Sequence, residues 1–351
     1  MDEVIHCAAS PGEQRLALLR GGVLREYFIH RPGTPDGFGA VHWGRVTAVV
    51  PAMAGAFVAL ADGDAFLPDS QGASGLGEGA HIAVSVTRAA QGGKGARVTA
   101  RLGEAGAALG VAGPVRLLRP GPSPLQDWLA IYPDAQVVNA PFSDDLAAEV
   151  EALSSPALAL PGGMAGTVSP TPALTAIDLD MGGSTAARAT KQRVQFASNR
   201  DVLPELARQI TLRNLSGAIL IDFAGIAAKR RAALREPLEQ ALAADPLRPQ
   251  LLGFTGLGFA EILRQRRRLP LHEMLGGAHA AGLAALRRVA GEAAAAPFRR
   301  MMLRAAPSVI AALETDTGAL ADLARVTTHP LMLRSDPALP GLTWVIEDAR
   351  G

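Results

Sequence analysis

Residues 174–180 read LTAIDLD, residues 203–217 read LPELARQITLRNLSG, and residues 218–223 read AILIDF. The first and last runs are short, apolar and rich in β-branched residues, which favours two strands. The middle run carries apolar residues at helical spacing, namely Leu203, Leu206, Ala207 and Ile210. A strand, a helix and a strand in this order predict a βαβ unit, whose two strands are parallel.

The flanks of the predicted helix suggest where it begins and ends. Asp201 is the expected N-cap, and Pro204 is tolerated because N–H groups in the first turn lack partners anyway. Gly217 is the expected end of the helix. The last run, AILIDF, is of the kind found in a strand that is covered on both faces.

Three carboxylates interrupt or follow these apolar runs: Asp178, Asp180 and Asp222. Alternation puts Asp178 and Asp180 on one strand face, about 6 to 7 Å apart. Ligands of βαβ sheets bind beyond the carboxyl ends of the strands, where Asp178 and Asp222 fall. If the strands are neighbours, about 4.8 Å apart, the two carboxylates could share one Mg²⁺, which keeps waters and takes phosphate oxygens. Aspartates at strand ends also serve as caps and turn formers, so spacing alone leaves a metal site open.

The length, the net charge and the cysteine content limit the classes of protein to which this chain can belong. A chain of 351 residues suggests two or three domains. Its net charge of +1 provides no overall attraction to nucleic acid or membrane. The single cysteine, Cys7, excludes an internal disulfide and a cysteine-rich zinc cluster, and no apolar run is long enough to span a bilayer. A cytoplasmic location without membrane contact is therefore expected.

The first hundred residues predict β structure. Residues 14–30 form an expected hairpin around Gly21 and Gly22. Several short strand-like runs follow between residues 38 and 102, a spacing typical of a small all-β barrel.

The remaining segments are less regular. Ser143 is the expected N-cap of a helix with the sequence DDLAAEVEAL. Residues 182–193, GGSTAARATKQR, read as a basic loop that either suits an RNA backbone or is simply solvated. The arginine-rich runs at 229–231 and 264–268 either contact phosphates or form solvated faces, and an alanine-rich helix is expected near Arg287 and Arg288.

Five stretches resemble the ribonuclease E/G family, the last of which, PLMLRSDPALPGLTWVIED at 330–348, resembles its small C-terminal domain. Residues 44–68, GRVTAVVPAMAGAFVALADGDAFLP, and 79–99, GAHIAVSVTRAAQGGKGARVT, resemble the OB-fold RNA-binding barrel of that family. Residues 160–180, LPGGMAGTVSPTPALTAIDLD, resemble its strand ending in the first metal-binding aspartate. Residues 205–226, ELARQITLRNLSGAILIDFAGI, resemble its core helix and second metal-binding strand.

The resemblance implies a multidomain fold of α+β and α/β type. An OB-fold β-barrel is inserted near the N-terminus, followed by a mixed α/β nuclease core and a small C-terminal α/β domain. The expected boundaries are an N-terminal hairpin that packs on the core at 1–37, the barrel at 38–102, a shortened connecting α/β segment at 103–163, the nuclease core at 164–275 and the small domain at 276–351.

The resemblance also implies an activity. It is that of a Mg²⁺-dependent endoribonuclease, with Mn²⁺ as a substitute ion, which cuts single-stranded RNA to leave 5′-phosphate and 3′-hydroxyl ends in RNA processing or decay. Asp178 and Asp222 would hold the metal, and Asp180 would be a catalytic residue that orients the ion or its water. The expected RNA-binding residues are Phe57, Phe66 and Lys94 on the barrel, together with Arg188, Lys191 and Arg193 of the basic segment.

The sequence departs from the family in three places. Asp180 stands where the family has asparagine, and its extra charge could strengthen metal binding or raise a pKa nearby. Gly276 and Gly277 stand where the family has zinc-binding cysteines, so no zinc and no zinc-linked assembly are expected, while another oligomer is not excluded. Residues 103–163 match no 5′-end sensor, which predicts cleavage that depends little on the 5′ end.

Two other functions compete with this hypothesis. A noncatalytic RNA-binding protein of the same fold, acting on ribosomal or messenger RNA, would fit the missing sensor and the altered Asp180. A metal-dependent phosphatase of small molecules would use the aspartates but gives no reason for an OB barrel.

Overall fold

The computed structural model describes residues 2–103, 113–181 and 188–349, without the side chains of residues 188–192 and 228. The strands are β1 (Glu3–Ser10), β2 (Glu13–Arg20), β3 (Val23–His30), β4 (Val41–Val50), β5 (Gly55–Leu60), β6 (Gly63–Pro68), β7 (His81–Arg88), β8 (Ala96–Thr99), β9 (Arg116–Arg119), β10 (Gln136–Val138), β11 (Ala157–Ala159), β12 (Ala165–Pro170), β13 (Leu174–Asp180), β14 (Gly217–Asp222), β15 (Gln250–Phe254), β16 (Ala260–Arg264), β17 (Met301–Ala305), β18 (Met332–Ser335) and β19 (Trp344–Asp348). The α-helices are α1 (Pro124–Ile131), α2 (Asp144–Ala152), α3 (Arg188–Asp201), α4 (Leu203–Leu212), α5 (Ala228–Arg231), α6 (Arg235–Leu242), α7 (Leu271–Met274), α8 (Gly277–Ala295), α9 (Pro307–Thr315) and α10 (Thr317–Val326). Short 3₁₀ turns lie at Pro51–Met53, Asp69–Gln71, Pro161–Gly163 and Ala232–Leu234.

The chain folds into two compact units, each assembled from separated segments. The first unit comprises Met1–Pro35, Pro124–Ser154 and Leu271–Gly351. The second comprises Asp36–Ser123 and Ser155–Pro270. The strands expected to form a barrel and both strands of the predicted βαβ unit therefore belong to the second unit.

A closed β-barrel occupies the first segment of the second unit. Its five described strands follow the order β4-β5-β6-β8-β7, and β7 returns to β4. Strand β4 can border both neighbours because its first half pairs with β7 and its second half with β5, with an irregularity between Val46 and Ala48 where the strand bends. Val46, Val58 and Val84 fill the interior. The predicted barrel is confirmed, and closure by five strands is compatible with an OB-fold.

The mixed sheet of the second unit contains the predicted βαβ unit. Its described strands follow the order β11-β12-β13-β14-β16-β15, in which β13 and β14 are parallel and the other neighbours antiparallel. Helices α3 and α4 connect β13 to β14 along the chain. The expected apolar stripe of α4 is buried in the core, at Leu203, Leu206, Ala207 and Ile210.

Two details of the predicted helix boundaries are wrong. Asp201 does not cap α4, because α3 extends to Asp201 itself and Val202 takes the cap position. Gly217 does not end the helix either. Helix α4 stops at Leu212, Asn214 reverses the chain with a φ of 46°, and Gly217 opens β14 with a φ of 83°. The left-handed conformation of Gly217 is one that side-chain-bearing residues rarely adopt.

Two further expectations of this region are also corrected. The basic segment is not a loop throughout, since it is helical from Arg188 onward. Strand β14 is not covered on both faces: Ile219 and Ile221 are buried, whereas Ala218 is exposed and Asp222 is half-exposed. Helices α4 and α6 contribute to the core that includes Ile219 and Ile221, and the residues that alternate with these two on β14 are less buried.

Strand β14 begins at a buried ion pair. Arg264, which pairs with Gly217 across the sheet, donates from Nε to Oδ2 of Asp245 at 2.6 Å, and both side chains are 3% exposed. Arg264 also donates to Oδ1 of Asn214 at 2.7 Å and to the carbonyl of Leu215 at 3.1 Å. This end of the strand is therefore closed by a fully bonded polar network.

The first unit contains the predicted hairpin and capped helix. Strands β2 and β3 join through Gly21 and Gly22, both at positive φ, within a sheet of the order β10-β1-β2-β3. Ser143 caps α2, its side-chain oxygen accepting from the amide of Leu146 at 3.4 Å. Both expectations are confirmed.

The C-terminal part of the first unit combines helices with a small sheet. The predicted alanine-rich helix is α8, which buries Leu283, Leu286 and Val289. Strands β18, β17 and β19 form a sheet in that order, and β17 contributes Leu303 to the same core as α8. Among the helices that the structure describes, none has the length and hydropathy that a membrane span requires.

Candidate metal site and nucleic-acid interface

Asp178 and Asp222 lie directly opposite each other at the end of the parallel strand pair. The register of β13 and β14 runs from Leu174 opposite Ala218 to Asp178 opposite Asp222. Paired residues of neighbouring strands project to the same face, with strands about 4.8 Å apart. Because Ile177 and Ile221 point into the core, both aspartates project to the more open face. The condition that the sequence left open, that these two strands are neighbours, is thus met.

The two carboxylates differ in exposure and in partners. Asp178 is exposed and has no hydrogen-bond or ion-pair partner among the described residues. The Asp222 side chain is 40% exposed, and its Oδ1 accepts from Nη1 of Arg231 at 2.5 Å. Arg231 is held in turn by the carbonyls of Ile226 and Gly258, at 2.8 and 3.3 Å. Sequence reasoning missed this pair, because nothing distinguishes Arg231 from its neighbours in a basic run.

Asp180 lies just beyond the parallel ladder. Strand β14 ends at Asp222, opposite Asp178, whereas Asp180 pairs with Ala165 on the other side, in β12. In the described part of the chain no three or more His, Cys, Asp and Glu side chains group closely enough to hold a metal ion. A metal at this edge would therefore have Asp178 and Asp222 as its protein ligands and would complete its shell with water and phosphate, as Mg²⁺ commonly does.

Asn199 fixes the segment that follows Asp222. The Asn199 side chain is fully buried, donates to the carbonyl of Ala224 at 2.9 Å and accepts from the amide of Ala224 at 3.1 Å. It also donates to the carbonyl of Gln195 in its own helix at 2.7 Å. One amide side chain thus ties α3 to the backbone two residues after Asp222. Sequence periodicity gave no signal for it, since a buried asparagine in a polar helix looks like a surface residue.

Phe57 and Phe66 lie on the outside of the barrel. They pair across β5 and β6, and their rings meet edge to face with centroids 5.5 Å apart. Their neighbours Val58 and Leu67 point inward and are buried, whereas Phe57 is 36% exposed. The alternative that both phenylalanines fill the barrel interior is therefore wrong. Exposed rings on a barrel face are what single-stranded nucleic acids stack on.

Two basic residues, Arg97 and Lys94, lie on or just before β8, the strand that pairs with the strand of Phe66. Arg97 of β8 pairs with Phe66 of β6 and is exposed. Lys94 is exposed and closes a tight turn, in which its backbone exchanges two hydrogen bonds with Gln91, of 3.0 and 3.1 Å. The turn belongs to the loop between β7 and β8, so Lys94 and Phe66 are contributed by neighbouring parts of one barrel.

The expected RNA-binding residues of the basic segment fall at the start of α3. The backbone of Arg188 and Lys191 is helical, and their side chains lie outside the described residues. Arg193 is exposed and lines a cavity of about 270 Å³, together with residues of α3 and of the segment after β14. The other arginine runs are partly structural, because Arg231, Arg264 and Arg268 each bond a carboxylate.

Comparisons with known proteins match this central part of the chain. Residues 130–267 match the model of the ribonuclease E/G family. A ribonuclease E of Nostoc sp. is 36% identical over 122 residues, which are 34% of this chain and 18% of that protein. A ribonuclease G of Escherichia coli is 33% identical over 109 residues, 31% of this chain and 22% of that protein. A ribonuclease E of Escherichia coli is 33% identical over 123 residues, 34% of this chain and 11% of that protein.

The matched segment includes both aspartates, the strands that carry them and the helices between them. It spans about a fifth or less of the relatives' own length. The resemblance found in the motifs is thus supported independently where the candidate metal site lies. Over residues 130–267, this chain is therefore similar to the ribonuclease E/G family.

Proposed function

We propose that this protein is a metal-dependent endoribonuclease of the cytoplasm that hydrolyses phosphodiester bonds in single-stranded RNA to give 5′-phosphate and 3′-hydroxyl ends. The observation that carries the proposal is the register of Asp178 opposite Asp222 on neighbouring parallel strands. A closed barrel with exposed aromatic residues belongs to the same compact unit. The similarity to ribonucleases E and G supports the reaction class.

The residues at the sheet edge suit Mg²⁺, with Mn²⁺ as a substitute. The donor set consists of carboxylate oxygens, which hard divalent cations prefer, and the edge is open to water and substrate. Asp178 brings a negative charge that is unpaired among the described residues, and its exposure keeps the desolvation cost low. When bound, the ion would activate water and neutralise the charge that develops on the phosphate.

The protein's own side chains would orient the ligands and the substrate. Arg231 restrains Asp222 through Oδ1, so that Oδ2 is the oxygen free of this bond. Asp180, beyond the end of β14, would orient the ion or its water. Phe57 and Phe66 would hold unpaired bases by stacking, and Lys94 would attract the backbone.

The nuclease proposal is tested with Asp178→Asn and Asp222→Asn. Each change keeps the side-chain size and removes the charge of a metal ligand. Since a metal contributes several kcal/mol of charge stabilisation, we expect cleavage of an unstructured RNA in Mg²⁺ to fall by at least about 100-fold. Asp201→Asn is the matched control, because Asp201 is an exposed aspartate in the same unit, paired with Arg200. Variants that cleave as fast as the parent would refute the proposal.

The barrel interface is tested by Phe57→Ala and Phe66→Ala. Stacking of one base on an aromatic ring contributes about 1–3 kcal/mol, so each change should weaken binding of a single-stranded RNA roughly 5- to 100-fold. Phe298→Ala is the control, as Phe298 is an exposed phenylalanine in the first unit. Binding is measured by fluorescence anisotropy in EDTA, so that cleavage does not interfere. Equal affinities of these variants and the control would remove the barrel from the RNA-binding surface.

A noncatalytic RNA-binding protein is the second candidate. One observation favours it: the carboxylate of Asp222, a proposed metal ligand, already has a positive partner in Arg231. RNA binding that persists in EDTA, together with no cleavage in Mg²⁺, Mn²⁺ or any other divalent ion, would support this candidate. Cleavage that depends on a divalent ion would exclude it.

A further inference from the structure

A cavity lies between helix α3 and the segment that follows β14. Its volume is about 270 Å³, and its walls include Arg193 and Phe196 from α3, and Gly225, Ile226 and Arg230 from the segment. Gly225 is three residues beyond Asp222. Arg230 directly precedes Arg231, which bonds Asp222. The cavity is therefore connected by short stretches of backbone to the candidate metal site.

The cavity wall is held in place by specific contacts. Asn199 bonds both backbone groups of Ala224, which fixes α3 against the segment. Gly225 has a φ of 66°, and a Cβ atom there would lie 2.3 Å from the side chain of Gln195. A side chain at this position would thus be strained by the positive φ and would displace the Gln195 amide of α3. Residues of α3 and residues of the segment therefore both contribute to the close approach of the two.

Two arginines at the cavity have no anionic partner in the part of the chain that the structure describes. Among the described residues, neither Arg193 nor Arg230 makes an ion pair or a side-chain hydrogen bond, and both are exposed. By contrast, the neighbouring Arg231 is mostly buried and bonded to a carboxylate. Exposed guanidinium groups beside a cavity favour a phosphate group, whose oxygens match their planar set of donors.

The rest of the wall is apolar. Ile226 is buried, and Phe196 is partly buried and packs against the core of the unit. An aromatic ring and an aliphatic side chain form a surface on which a nucleobase can stack. The volume of about 270 Å³ lies at the small end of ligand cavities, which suits one nucleoside better than a longer segment.

We propose that this cavity binds one nucleotide of the RNA next to the scissile bond, with its base against Phe196 and Ile226 and a phosphate between Arg193 and Arg230. The inference rests on the proposed nuclease function and specifies a subsite of it. Binding of this nucleotide would set which phosphodiester bond reaches Asp178 and Asp222.

The test uses the full chain and an RNA with one mapped cleavage site. The double variant Arg193→Gln/Arg230→Gln removes both charges from exposed positions. We expect kcat/KM to fall about tenfold, mainly through KM, since the lost contacts hold the substrate rather than the reacting atoms. Arg200→Gln is the control, because Arg200 is also an exposed arginine of α3 but does not line the cavity.

Abasic substitutions then locate the nucleotide. Single nucleotides on both sides of the cleavage site are replaced in turn by abasic residues. One replacement should slow the parent about tenfold and have a much smaller effect on the double variant, because base and phosphate occupy the same cavity. Equal KM values for the parent and the double variant, or equal effects of every abasic position on both, would overturn the inference.

A second measurement separates this inference from the proposed function. If the parent does not cleave RNA, the nuclease proposal has failed, and the cavity is tested by titrating the full chain with uridine and adenosine 5′-monophosphates, followed by NMR. Saturable shifts at Gly225 and Phe196 that disappear in the double variant would support the cavity as a nucleotide site. No such shifts, or the same shifts in the double variant, would overturn it.

Discussion

The two ends of strand β14 carry the same kind of ion pair in opposite surroundings. At the start, Arg264 and Asp245 are each 3% exposed and are joined to Asn214 and backbone groups. At the end, Arg231 is 12% and Asp222 40% exposed. The first pair closes a polar network, whereas the second leaves carboxylate surface in contact with solvent.

The difference distinguishes an ion pair that stabilises the fold from one that a ligand can reach. A buried pair must be fully bonded, because an unsatisfied charge in the core costs several kcal/mol. A half-exposed carboxylate keeps much of its hydration and can exchange water for a cation or a phosphate-bound ion at low cost. The same two residue types therefore stabilise the fold at one end of β14 and remain available for chemistry at the other.

The largest expected effect comes from removing the carboxylate charge at each end of β14 in turn. Asp245→Asn leaves Arg264 buried without its counterion and should lower the free energy of unfolding by about 3–5 kcal/mol. Asp222→Asn should lower it by less than about 1 kcal/mol and instead abolish cleavage. Urea denaturation and RNA cleavage at a temperature where both variants are folded measure the two effects.

The exposed pair of Arg200 and Asp201 serves as the reference for these two substitutions. Asp201→Asn should change neither stability nor cleavage. If Asp245→Asn were as stable as Asp201→Asn, the network at the start of β14 would not be the anchor described above, and the comparison would fail.

The next effect concerns the tie between α3 and the loop after Asp222. Asn199→Ala leaves the amide and the carbonyl of Ala224 without these bonds in a buried position, which should cost roughly 2–4 kcal/mol. Hydrogen exchange should speed up across residues 223–227 more than in the rest of the unit. Ser198→Ala on the same helix is the control. Unchanged exchange in the loop would show that Asn199 does not hold it.

The smallest effect is expected at Arg231. Arg231→Gln removes a positive charge 2.5 Å from Asp222 and should lower the free energy of unfolding by about 1 kcal/mol. Because the guanidinium repels a cation bound to the same carboxylate, the variant should bind Mn²⁺ a few-fold more tightly, measured by paramagnetic relaxation without RNA. Weaker Mn²⁺ binding would mean that Arg231 orients the carboxylate rather than competing with the ion.

The sequence predicted those parts of the site that depend on periodicity. Alternation and the parallel connection predicted that Asp178 and Asp222 fall at the carboxyl ends of two parallel strands. They left open whether the two strands are neighbours, which the register of the sheet decides. The barrel strands were also recognisable from their spacing. Alternation in β5 and β6 alone did not decide whether Phe57 faced inward or outward, since small barrels have an apolar residue on either face.

The contacts between segments distant in sequence were not predictable. Arg231 and Asp222 are nine residues apart, and only the turn after β14 brings them together. The first residues of α3, 188–193, were expected to be part of a loop because the stretch GGSTAARATKQR contains glycines and polar residues and lacks an apolar stripe. Asn199 lies in that helix, and its role depends on Ala224, 25 residues further along the chain.

The register of β13 and β14 also has a consequence for how the chain avoids misfolded states. A shift of one residue in the pairing would turn Asp222 toward the core and Ile221 toward solvent. The carboxylate would then lose water without gaining a partner, while the hydrophobic core would lose a fully buried side chain. Chains with a shifted register are therefore less stable than the native pairing. The arrangement that aligns the two aspartates is thus also the one that the burial of Ile221 favours.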